Sequence, residues 1–144
     1  MREAVGIYNN LETLLYDGAY DHFQPVENAM GGTVFKAERA GILTGCADAL
    51  ANCLTDAQNM VAACGSSTYW SGFKTIAQEY ADTIAEAIEV FRRVGGTEVA
   101  SITEADEDEV QLLREEVPTL WGELVTVHTD FANTYFDEIR AYQG

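Results

Sequence analysis

At 144 residues and 47% hydrophobic content, the chain has the size and composition of one globular domain, able to bury roughly two-thirds of its unfolded surface without disulfides or a metal. Its 24 acidic against 8 basic residues leave a net charge of −16, which repels nucleic-acid phosphates and anionic lipid headgroups and suits basic protein partners or a salt-rich medium. No signal-peptide run opens the sequence and none approaches the roughly 18 uncharged residues of a membrane span, so the expectation is a protein made in the cytoplasm, acting there or exported without a cleaved signal peptide.

Residues 2–17 carry Ala4, Ile7, Leu11, Leu14 and Leu15 at helical spacing and end at Asp17-Gly18, where glycine supplies a cap. The period is lost over 19–32, which reads as a connecting loop with one helical turn at 25–30 behind Pro25. Thr33 then suits the N-cap of a long helix over 33–64. Within it Leu43, Cys46, Leu50, Cys53, Ala57, Met60 and Cys64 alternate spacings of three and four, the seam of a helix packed lengthwise on others. Beyond Lys36, Glu38 and Arg39 its only charges are Asp48 and Asp56, and the remaining Gly, Ala, Thr, Asn and Gln are neutral enough to be covered as well. This is the expected central helix.

Gly65-Ser66-Ser67-Thr68 stops that helix. The next, over 70–94, has the seam Phe73, Ala77, Tyr80, Ile84, Ala87, Phe91 and Val94, with Gly95-Gly96 behind it. Two long helices joined by so short a turn must lie antiparallel. Ser101 with Glu104 fits a capping box, and the carboxylates of Glu104, Asp106, Glu107, Asp108 and Glu109 suit a helix N-terminus. The last helix, 103–142, aligns Val110, Leu113, Val117, Leu120, Trp121, Leu124, His128, Phe131, Ala132, Tyr135, Ile139 and Tyr142, with a kink or break expected near Pro118. The whole predicts a single all-α domain over 1–144, an antiparallel bundle of four main helices.

No catalytic, cofactor or metal constellation is legible, so an enzyme is the least supported reading. Cys46 and Cys53 are separated by roughly 10 Å along one helix, too far to share a zinc with bonds of about 2.3 Å. Seam positions make all three cysteines buried packing residues. His128 on an apolar face is expected to be a hydrogen-bonded core or boundary histidine, and His22 lies in the loop.

The remaining feature is Trp70-Ser71-Gly72, at the turn between the two long helices, with an Ala-rich helix before it and Ala77 and Tyr80 in the seam after it. Over about 33–94 the chain resembles the WXG family of helical hairpins exported by type VII secretion systems. The resemblance implies hairpins that pair into four-helix dimers, a homodimer among them, and a turn whose exposed tryptophan contributes to a recognition surface. Tyr69, Trp70, Gly72 and Phe73 are then the partner-binding candidates. The glycine would let the second helix start close to the first, and the aromatic would cover the hairpin end. The family's export signal, tyrosine followed four residues later by an acid beyond the second helix, is absent: Tyr80 leads to Ile84 and Tyr135 to Ile139. A non-enzymatic interaction module is therefore expected, with an acidic phage or mobile-element protein that mimics nucleic acid or blocks a basic partner as the alternative.

Overall fold

The computed structural model describes residues 1–19 and 36–143, with side chains placed for 1–16 and 41–142. Among the described residues the structure is all-α. Helix α1 (Arg2–Glu12) passes into wider π-helical turns over Thr13–Ala19. Helix α2 (Lys36–Cys64) and helix α3 (Ser71–Gly95) are joined by a 3₁₀ turn at Thr68–Trp70. A second 3₁₀ turn, Val99–Ser101, leads into α4 (Glu104–Thr134), and the short α5 (Phe136–Gln143) closes the chain. The expected loop, its turn at 25–30 and the Thr33 cap lie outside the described residues.

Cross-helix contacts fix the directions. Lys74 Nζ donates to the Gly65 carbonyl at 2.7 Å near the turn, and Arg92 reaches Asp48 at 3.4 Å toward the other end, so α2 and α3 run antiparallel. On the other flank Arg93 meets Asp106 at 2.7 Å, the Tyr80 and Trp121 rings lie 6.3 Å apart, and Trp70 packs on Phe131, so α3 and α4 are antiparallel too. Helix α1 crosses to touch both α2 and α4.

The seams read from spacing are buried: Leu43, Cys46, Leu50, Cys53, Ala57, Met60 and Cys64 on α2, and Phe73, Ala77, Tyr80, Ile84, Ala87, Phe91 and Val94 on α3. The centre is α3, however, not the 33–64 helix. It packs along its length on both α2 and α4, and Ala81, Thr83 and Val90 widen its buried stripe. On α2 the neutral residues Ala51, Asn52, Thr55, Gln58, Asn59 and Ala62 face solvent. Lack of charge was a poor guide to burial because small amides and hydroxyls hydrogen-bond to water as readily as to protein.

The ends differ from expectation for local reasons. The first helix does not stop at Asp17-Gly18 but carries through both in π turns, keeping Leu15 buried. Gly65 does terminate α2, with φ +53, the left-handed region that glycine enters without the Cβ penalty. The capping box of α4 is Thr103 with Asp106, not Ser101 with Glu104: Asp106 N donates to Thr103 Oγ1 and Thr103 N to Asp106 Oδ2, both at 3.1 Å. Ser101 is taken up by the preceding turn. Asp106 also accepts from Arg93, whose other guanidinium nitrogen reaches Glu109 at 2.8 Å, so part of the acidic run ties α4 to the end of α3. These bonds hold the Asp106 carboxyl below its usual range.

Helix α4 is not broken at Pro118. Val117 and Leu120 on either side of it are buried, and Thr119 Oγ1 donates to the Glu115 carbonyl at 2.8 Å. Burial of that stretch outweighs a local cost of about 3 kcal/mol. The interruption falls instead at Tyr135 (φ −116, ψ 33), between α4 and α5.

Leu50 is fully buried where α2 packs on α3, so Leu50→Ala is expected to lower the unfolding free energy by roughly 2–5 kcal/mol in a urea titration.

Candidate protein-interaction site at the hairpin turn

The turn is built by short backbone bonds. After Gly65, the Ser67 amide donates to the Cys64 carbonyl at 3.2 Å, and the Trp70 amide to the Ser67 carbonyl at 3.3 Å. Ser71 Oγ then donates to the Thr68 carbonyl at 3.1 Å. This geometry sends consecutive aromatic side chains to opposite sides, Trp70 inward and Tyr69 outward.

Trp70 has no exposed surface, and its Nε1 donates to the Ala4 carbonyl of α1 at 2.9 Å. Its ring packs on Phe131 of α4 at 4.4 Å between centroids and meets the edge of Phe73 at 5.6 Å. One helical turn beyond Ala4, the Tyr8 carbonyl is bonded to His128 Nε2 at 3.1 Å, and the Tyr8 ring stacks on the imidazole at 4.3 Å and 5°. A carbonyl only accepts, so Nε2 carries the proton. Burial pushes the His128 pKa below its ordinary value, against smaller upward effects of the Tyr8 carbonyl and Glu12. The residue is the hydrogen-bonded core histidine that its apolar face implied.

Two of the four residues expected to bind a partner are therefore interior. Trp70 and Phe73 are both fully buried, Trp70 under α1 and α4, so the exposed tryptophan implied by the resemblance is absent here. A short indole-bearing turn with two further helices against it buries the ring that a free hairpin would leave open. Tyr69 does reach solvent at 48% exposure, edge-on to Tyr135 at 5.7 Å. Gly72 lies on the surface, and a Cβ there would meet nothing within 4 Å, so close helix approach does not require glycine at that position.

Sequence reasoning missed two participants. Tyr8 was legible as an aromatic one turn after Ala4 beside the α1 stripe. Phe136, 59% exposed with the Arg140 guanidinium 5.8 Å from its ring, gave no signal without the break at Tyr135 that turns it outward. Tyr69 and the half-buried Tyr135 meet at the outside of the turn, next to the buried Trp70, and the exposed Phe136 follows Tyr135 in sequence.

All three cysteines are buried and free of disulfides. Burial raises all three thiols, Cys53 to about 12 and Cys64 to about 11, so they stay protonated and unreactive near neutral pH. No protein-family model, curated protein or solved structure matches the chain.

Trp70→Ala is expected to cost about 3–5 kcal/mol of stability, and Trp70→Phe less, since the ring volume is largely kept and only the indole donor is lost. Paired urea titrations measure both. His128 binds its proton less readily folded than unfolded, so its contribution is complete above the unfolded value of 6.5 and is lost as pH falls from there toward the lower folded value. Unfolding free energy should drop on acidification through that window, and His128→Phe, read over the same pH series, should drop less steeply.

Proposed function

We propose that the protein is a non-enzymatic interaction module built on a WXG-like hairpin, α2 and α3, that acts as a substrate or partner of a type VII secretion system. Its own α1 and α4 occupy flanks of the hairpin, so the core is closed within one chain. Recognition then falls to the outside of the turn. The observation that carries this reading is the exposed Tyr69, edge-on to the half-buried Tyr135, with the exposed Phe136 next in sequence, while Trp70 beside Tyr69 is buried. Exposed aromatics around a rigid turn are the kind of anchor that protein interfaces use, with large contact area and little side-chain entropy to lose.

Two further features agree. Gly72 has no packing or backbone reason to be glycine, which fits a position kept small for an approaching partner. The outer face of α2 is nearly free of charge in a protein of net charge −16, so a second hairpin, including another copy, can lie against it without like-charge repulsion. No helix among the described residues is long and apolar enough to cross a membrane.

The test is export from a bacterium carrying a type VII system and from an isogenic strain without its secretion ATPase. Release into the medium should require the ATPase. Tyr69→Ala with Phe136→Ala should reduce release at least tenfold at an unchanged thermal midpoint, because both side chains are exposed. Gly72→Ala should leave the midpoint unchanged or slightly raised, since helix propensity favours alanine by about 0.5–1 kcal/mol, and still reduce release. ATPase-independent release, or full export of the double variant, contradicts the proposal.

A further inference from the structure

Away from the turn, α3 and α4 form a surface groove of about 310 Å³ lined by Glu79, Leu112, Glu115, Glu116, Thr119, Leu120 and Glu123. Its composition sets it apart from the rest of the acidic surface. Leu112 is 54% exposed, an apolar side chain standing among carboxylates. On α4, Leu112, Glu116, Thr119 and Glu123 follow one another at spacings of four, three and four, a single stripe about 16 Å long, or three helical turns. Glu79 faces it from α3.

None of the lining residues is basic. Among the described residues, Lys74 bonds the Gly65 carbonyl, Arg92 pairs with Asp48, Arg93 pairs with Asp106 and Glu109, and Arg114 on α4 donates to Gln111 Oε1 at 3.3 Å. Glu115 accepts from Gln111 Nε2 at 3.0 Å, a bond from a neutral donor. The carboxylates are strung along the groove and do not converge on a point, and among the described residues no group of three or more His, Cys, Asp or Glu could hold a metal ion. An extended cationic occupant with an apolar side fits this arrangement, and a single ion does not.

We propose that this groove seats a basic amphipathic helix of a partner protein, about three turns long. Apolar residues of that helix lie on Leu112 and the rim of Leu120, and flanking lysines or arginines face Glu79, Glu115, Glu116 and Glu123. The charges speed and orient docking, while the leucine contact supplies the part that salt does not screen. The surface is separate from the aromatic end of the hairpin, so the proposal stands or falls without the secretion reading.

The probe is a labelled peptide of about 14 residues made only of leucine and lysine, with leucines at helical spacings of three and four, against a scrambled peptide of identical composition. Binding is read by fluorescence anisotropy on the full chain at low and physiological salt. The amphipathic peptide should bind at least tenfold more tightly than the scrambled one at both. Leu112→Ser should weaken it about tenfold, as should Glu116→Lys combined with Glu123→Lys, with circular dichroism and thermal midpoint unchanged. Glu98→Lys combined with Asp137→Lys makes the same charge change at exposed positions outside the groove and should alter affinity by no more than about twofold. Equal binding of the scrambled peptide, equal loss in the control variant, or no binding at all overturns the proposal; either of the first two reduces the effect to diffuse attraction to an acidic surface.

Discussion

A single buried hydrogen bond, from the Trp70 indole to the Ala4 carbonyl, joins positions 66 residues apart and decides how the bundle closes. An indole N–H enclosed without an acceptor costs about 1–3 kcal/mol, so burying Trp70 is favourable only if something supplies a carbonyl. Helix α1 supplies it, and one turn later it supplies a second, from Tyr8 to His128. The aromatic rings between these two bonds, Tyr8, Trp70, Phe73, His128 and Phe131, belong to α1, the turn, α3 and α4. The first helix is held by directional bonds as well as by its apolar stripe. That specifies its position along the groove between α2 and α4 more sharply than burial alone would.

This constraint also divides the surface. Because Trp70 turns in, Tyr69 next to it turns out, and after the break at Tyr135 the Phe136 ring is exposed as well. The hairpin end therefore has a rigid interior and an aromatic exterior, which is the condition for an anchor that costs little entropy to bind. The α3 and α4 groove lies farther along the bundle and works by different physics, with carboxylates around one exposed leucine. The two contacts proposed above are thus mostly apolar and mostly electrostatic, at separate places.

Much of this was legible in the residues. Spacings of three and four named nearly the whole core, because each long helix buries one stripe and the stripe must repeat with the helical period. The hydrogen-bonded core role of His128 followed from its place on such a stripe. What escaped were matters decided by other elements. Spacing within 33–64 could not reveal that α3 has two neighbours along its length, which only the placement of α4 determines. The capping box fell on Thr103 with Asp106 instead of Ser101 with Glu104, because the 3₁₀ turn at Val99–Ser101 takes up Ser101. The exposure of Trp70 depends on α1 folding back over it, a contact with no local signature. Pro118 would break an isolated helix, yet Val117 and Leu120 hold it continuous by burial.

The claim that directional bonds from Trp70 and His128 lock α1 into the bundle has a direct readout in native-state hydrogen exchange. Amides in the stretch 5–11 of α1 should be protected to within about tenfold of the core amides of α3, because a helix tied at two carbonyls opens only when the bundle opens. Exchange about a hundredfold or more faster in α1 than in α3 would make α1 a loosely docked appendage and contradict the account.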